Sequence, residues 1–138
     1  MENTIFQKIL RKEVPADSVY EDELTLAFLD ISPASKGHTL VIPKEPFINI
    51  FDIDDETLCA LMRTVRLIAP AVRDAVGAHG VHINSNHGVD AGQEVPHLHF
   101  HISPRHSRDE FAFWPKEEYV AGEPERIAAD IRAQLATH

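Results

Sequence analysis

Three histidines alternate with apolar residues in the run His97-Leu98-His99-Phe100-His101-Ile102-Ser103. A strand has period two, so His97, His99 and His101 share one face while Leu98, Phe100 and Ile102 share the other and face the core. Neighbouring imidazoles then stand about 6.6 Å apart along the strand. Three readings of this row compete. The first is a half-exposed strand with histidines toward water, where polar residues of other types are the usual choice. The second is a metal site. Histidines two apart can reach one zinc ion, but the outer pair is about 13 Å apart, so further ligands are needed, with His38 or His82 the candidates. The third is phosphoryl or nucleotidyl transfer. A neutral imidazole is a good nucleophile near pH 7 and forms a reactive N–P adduct, while flanking imidazoles stabilise phosphate charge and protonate a leaving group.

The segment just upstream favours the third reading. Asn86-His87-Gly88-Val89-Asp90-Ala91-Gly92-Gln93 is a loop with two glycines, which permit close approach of backbone to a ligand. Its N–H groups, with the amides of Asn86 and Gln93, suit phosphate oxygens and ribose hydroxyls. Alone such a loop is usually only a turn; its value lies in its neighbour.

The elements that must hold these residues are legible around them. Thr4 to Lys12 reads as a short helix, with Ile5, Phe6, Ile9 and Leu10 at helical spacing, Thr4 as its cap, and an end before Pro15. Ser18 to Glu21 and Thr25 to Asp30 read as strands joined by the turn Glu21-Asp22-Glu23, and His38 to Pro43 as a third strand. A long helix opens at Asp54 or Asp55. Its predicted buried face is Leu58, Leu61, Met62, Val65, Ile68, Ala69, Val72 and Val76, with Cys59 buried beside it; Pro70 should bend or divide it. Val81 to Asn84 and Pro96 to Ser103 read as the fourth and fifth strands, and Glu123 to Ala136 as a C-terminal helix. The fold class is α+β: an antiparallel five-stranded sheet with one long helix, a short N-terminal helix and a C-terminal helix.

The whole chain of 138 residues fits a single domain, 1–138, with 107–138 as a C-terminal extension. Its formal charge of −9 repels nucleic-acid backbones, so nucleic acid is not an expected partner, though a local pocket can still take a phosphate. One cysteine excludes an internal disulfide and any Cys-rich zinc site. The absence of a leader pattern and of a long apolar run leads to the expectation of a cytoplasmic protein, without a membrane partner.

The signature His-φ-His-φ-His-φ-φ, with φ apolar, belongs to the histidine-triad (HIT) family, and His97 to Ser103 resembles it except that Ser103 stands at an apolar position. AGQEVPHLHFHISPR is similar throughout to that family's active-site strand. Thr4-Ile5-Phe6…Lys8-Ile9, Ala27 to Pro33 and His38 to Lys44 resemble further family segments, in the family's order, so the likeness covers about residues 3–105. It implies a homodimer and hydrolysis or transfer at the α-phosphorus of nucleotides, similar to the purine nucleoside phosphoramidase branch with a C-terminal extension. The substrate would be a purine nucleotide, such as a nucleoside 5′-phosphoramidate or related adenylate, with an AMP-like product. His99 would be the nucleophile forming a nucleotidyl-histidine, His101 would contact the phosphate or leaving group, and His97 would orient His99. His38 matches the family's additional histidine and Asp30 its ribose carboxylate. Phe6, Ile9, Phe28 and Ile31 fall on the base pocket, and Asn86, Gly92 and Gln93 on the phosphate loop. From periodicity alone those apolar residues would be core, Asp30 a turn former and His38 a surface histidine.

Departures bear on specificity. Glu94 stands where the phosphoramidase branch usually has Ser and the dinucleoside-polyphosphate branch Thr, and His87 is also unlike the family. Phe113-Trp114-Pro115 resembles a Trp-Pro element of the phosphoramidase branch, and a tail helix folded over the pocket would narrow the substrate range. Neither cofactor nor zinc is expected. The alternatives are a dinucleoside polyphosphate hydrolase, a zinc-dependent histidine-site protein, and a nucleotide-binding module without catalysis.

Overall fold

The computed structural model describes residues 3–108 and 114–137. Thr4 caps the first helix, α1 (Ile5–Leu10), through a reciprocal box: its hydroxyl accepts from Gln7 N–H at 3.1 Å, and the Gln7 side-chain Oε1 accepts from Thr4 N–H at 3.3 Å. Two strands, β1 (Ser18–Glu21) and β2 (Thr25–Leu29), form a hairpin. Asp22 closes it by accepting from the N–H groups of Leu24 and Thr25 and from the Thr25 hydroxyl. β3 (Thr39–Pro43), β4 (Gly80–Asn84) and β5 (Phe100–Arg105) complete a five-stranded antiparallel sheet of order β1-β2-β3-β5-β4. The fold class is thus α+β, as the spacing predicts.

Register places Phe28, Leu40, His101 and Asn84 side by side across four strands on one face of the sheet. α1 packs there, in a cluster of Phe6, Leu26, Phe28, Leu40 and Ile42. The opposite face carries Ala27, Val41 and Ile102 against the long helix α2 (Asp55–Ala75), joined there by Leu98 from the segment ahead of β5.

α2 begins at the Asp54 cap, whose carboxylate accepts from Thr57 N–H at 3.2 Å. Its buried stripe is Thr57, Ala60, Leu61, Thr64, Val65, Ile68, Ala69 and Val72. This differs from the expected face: Met62 and Cys59 are exposed, and Leu58 is half-buried. The stripe turns toward Thr57 and Thr64 because Thr64 finds a buried partner, the Thr25 hydroxyl at 2.8 Å. Pro70 does not divide the helix. It lies on the exposed side, where the carbonyl that proline leaves without a donor faces away from the core.

The histidine segment also departs from expectation. β5 starts at Phe100 and runs to Arg105, so only His101 of the three lies in the strand. Ahead of it the backbone groups bond elsewhere. Leu98 N–H donates to Phe47 O, the His99 carbonyl accepts the Ser85 hydroxyl at 2.7 Å, and the His97 carbonyl accepts from a histidine ring. The alternation of faces nonetheless persists: Leu98 is in the α2 core, while the rings of His97 and His99 both meet Phe6 of α1.

The last helix, α3 (Glu123–Leu135), has no buried residue. Of Phe113-Trp114-Pro115, Phe113 lies outside the described residues. No helix among the described residues is long and apolar enough to cross a membrane.

Candidate active site

A cavity of about 490 Å³ opens between α1, the ends of β2 and β5, and the 86–94 loop. That volume suits a mononucleotide-sized ligand. It brings together Phe6, Ile9, Phe28, Asp30, Ile31, Asn86, Gly92, Glu94, His99 and His101 of the residues expected at a site. The lining combines apolar side chains with two carboxylates, the Asn86 amide and two imidazoles, and Phe6 meets the His99 ring edge-on at 4.9 Å between centroids. Sequence reasoning missed part of the apolar wall: Val14, Pro15 and Ala16, from the turn after α1, together with Leu40 and Val95. These residues carry no chemical signature; only the register and the chain path reveal them.

His38, His97 and Gln93 do not line the cavity; they stand behind it. Gln93 is buried, and both ends of its amide are engaged. Its Nε2 donates to the carbonyls of Ile48 (2.6 Å) and Val95 (3.1 Å), and its Oε1 accepts from Gly88 N–H at 2.8 Å. Gln93 therefore braces the loop. Gly92, at φ 90°, takes the left-handed turn that lets the loop pass Asn86; a side chain there would be strained. His87 fastens the other end, its Nδ1 accepting from Ile50 N–H at 2.9 Å.

Hydrogen-bond partners assign the tautomers. A carbonyl only accepts, so His97 carries its proton on Nε2, which donates to Pro43 O at 2.8 Å; its buried Nδ1 has no partner. His99 carries its proton on Nδ1, which donates to His97 O at 2.7 Å. The lone pair of His99 is then on Nε2, on a ring that lines the cavity. His38 Nδ1 accepts Ala34 N–H at 3.0 Å, so its proton is on Nε2 and is donated to His101 Nδ1 at 2.9 Å. His101 must then hold its own proton on Nε2. The result is one ring with a free lone pair and, 5.0 Å away between centroids, one ring with a free N–H.

Burial keeps these rings neutral. It is the largest cause of a lowered pKa at His38, His97 and His99, although Asp30 opposes it at His38 and the His97 carbonyl, Asp30 and Glu94 oppose it at His99. His101 is pushed down to about 4, by burial first and then by His99, His38 and His82.

The metal reading has a different geometry from the one the row of histidines suggests. His97 and His99 direct ring protons at carbonyls, while the donor atoms of Asp30, His38 and His101 lie within 4.8 Å of one another. Two of those donors, His38 Nε2 and His101 Nδ1, already face each other across a hydrogen bond.

The chain is similar to known proteins over nearly its whole length. A protein named hit from Bacillus subtilis is 42% identical over 99% of this chain and 97% of its own. An adenosine 5′-monophosphoramidase from Schizosaccharomyces pombe is 39% identical over 86% of this chain and 79% of its own. The crystal structure of a HIT family member from Bacillus subtilis superposes with a TM-score of 0.87, at 41% identity, over 96% of each chain. The HIT domain matches residues 11–108. With its buried histidine pair, its free imidazole lone pair and this likeness, the chain belongs to the HIT domain family.

Proposed function

We propose that the protein is a hydrolase or nucleotidyl transferase that attacks the α-phosphorus of purine nucleotides, with 5′-phosphoramidates or related adenylates as substrates. The carrying observation is the opposed tautomers of His99 and His101 on one cavity wall. The S. pombe relative's name, adenosine 5′-monophosphoramidase, supports the substrate class.

The base lies against Phe6, Ile9, Phe28 and Ile31, and the ribose hydroxyls meet Asp30. The phosphoryl group sits beside Asn86 and Gly92. His99 Nε2 attacks phosphorus, an N–P bond forms, and the bond to the leaving nitrogen breaks. That nitrogen takes the Nε2 proton of His101. An anionic phosphoryl group offsets the burial that keeps His101 neutral, so substrate arrives with uptake of a proton by the His38–His101 pair. The Asp30 carboxylate, 3.8 Å from His38 Nδ1, stabilises that charge. In the second step water attacks phosphorus, returns a proton to His101 Nε2 and releases His99 and an AMP-like product. No metal takes part, and His97 acts by position, since its carbonyl fixes the His99 tautomer.

Rapid quenching followed by peptide mass spectrometry tests this. An adenylyl group on the peptide containing His99, formed and consumed at the turnover rate, is the expected result. Turnover with the adduct absent at every time, or present on another residue, contradicts it.

The working unit in this reading is a homodimer. Trp114, Tyr119, Val120, Ile131 and Leu135 are all more than half exposed, and a second copy would cover them. A mass in solution of two 15.5 kDa chains is expected by sedimentation equilibrium, and a single-chain mass at micromolar concentration contradicts it.

A further inference from the structure

Charge is unevenly distributed in the lining of the cavity. Two carboxylates, Asp30 and Glu94, line it, and no Lys or Arg does so among the described residues. Asp30 is committed: it accepts Ser32 N–H at 2.9 Å and faces His38. Glu94 has no side-chain hydrogen bond or ion pair among the described residues. Its backbone is nevertheless held, because the neighbouring Gln93 amide binds the Val95 carbonyl at 3.1 Å and so ties the residues on either side of it. An exposed carboxylate on a held backbone thus lines the cavity, close enough to His99 to raise that ring's affinity for a proton.

We propose that Glu94 selects the leaving group, favouring substrates whose leaving group carries positive charge and rejecting those that bring further phosphates. The inference rests on the α-phosphorus reading above. Adenylates of every kind share the nucleotide half, so discrimination must fall on the part that departs. A polyphosphate chain adds negative charge where the lining offers imidazoles and an amide but no fixed cation. A leaving amine with a distal ammonium supplies the counter-charge that Glu94 lacks. Glu94 is exposed, so water screens each pairing, and the contrast is read between a group it attracts and one it repels. Glutamate at this position thereby separates this chain from a cavity with a neutral hydroxyl at the same place, which would treat both charges alike.

The test uses adenosine 5′-phosphoramidates that share one P–N bond and differ in a distal group: ammonium, none, or carboxylate. A dinucleoside polyphosphate is the fourth substrate. For the unaltered protein, kcat/KM for the ammonium compound should exceed that for the carboxylate compound by about tenfold, equivalent to ~1.4 kcal/mol. The ratio should fall to about two or less in Glu94→Gln and invert in Glu94→Lys, which should also gain on the dinucleoside polyphosphate. An equal ratio in all three proteins overturns the role of Glu94 alone. No turnover of any of the four by the unaltered protein overturns the α-phosphorus reading and this inference with it.

Discussion

His99 and His101 are the same residue type two positions apart, yet they present opposite functions to the cavity because their second ring nitrogens meet different partners. A carbonyl behind His99 leaves a lone pair forward; a donor behind His101 leaves a proton forward. The donor is His38, so His38→Ala should lower kcat by about 10–100-fold with a smaller change in KM. The acid limb of the pH–kcat profile should also move, which a loss of packing alone would not cause. An unchanged profile in steady-state assays would remove His38 from the proton path. The triad itself was legible in the sequence because alternation is a period-two signal and three imidazoles on one face are rare. The tautomers were not, since they depend on Ala34, Pro43 and the His97 carbonyl, which bear no side-chain signal. Cys59 was misplaced as buried because periodicity cannot say which edge of a helical stripe meets the sheet.

Among the elements, the 86–94 loop is held mainly by one side chain. Gln93 ties it to Ile48 and Val95, and its removal would leave two partly buried carbonyls and Gly88 N–H without this partner. Gln93→Ala should cost about 2–3 kcal/mol of stability in urea unfolding. In the proposed mechanism the loop positions substrate and performs no chemistry, so the change should also raise KM more than it lowers kcat. A variant of unaltered stability would contradict the bracing role. The resemblance put Gln93 on the phosphate loop, but it could not show that the Gln93 amide is spent on Gly88, Ile48 and Val95, outside the cavity lining. The same limit applies to β5. Branched and aromatic residues mark an extended segment, but the ladder begins only at Phe100, where the preceding carbonyls have already found side-chain and ring partners.

The whole molecule stores neutral histidines at a cost that appears in acid. His101 has a folded pKa of about 4 against an ordinary 6.5. Between those values the unfolded chain holds a proton that the folded chain does not, so stability falls as pH drops below 6.5, and the loss from this group is complete near pH 4. His38, His97 and His99, each lowered by burial, act in the same direction. The thermal midpoint should therefore fall steadily from about pH 7 to about pH 4.5, and less steeply in His101→Asn; a midpoint independent of pH would contradict the neutral, buried cluster. The five strands and three helices followed from element patterning, whereas the order β1-β2-β3-β5-β4 did not, because periodicity within a segment does not say which segment pairs with it. The uncovered surface of α3 did not, because amphipathic spacing reads the same whether the apolar side meets its own chain or another. The central claim is metal-free catalysis through His99, and AMP release from adenosine 5′-phosphoramidate in excess EDTA tests it most directly. Steady turnover by the unaltered protein, falling by about a thousandfold or more in His99→Ala, is the predicted result. Full turnover in His99→Ala, or activity that EDTA abolishes and zinc restores, would contradict it.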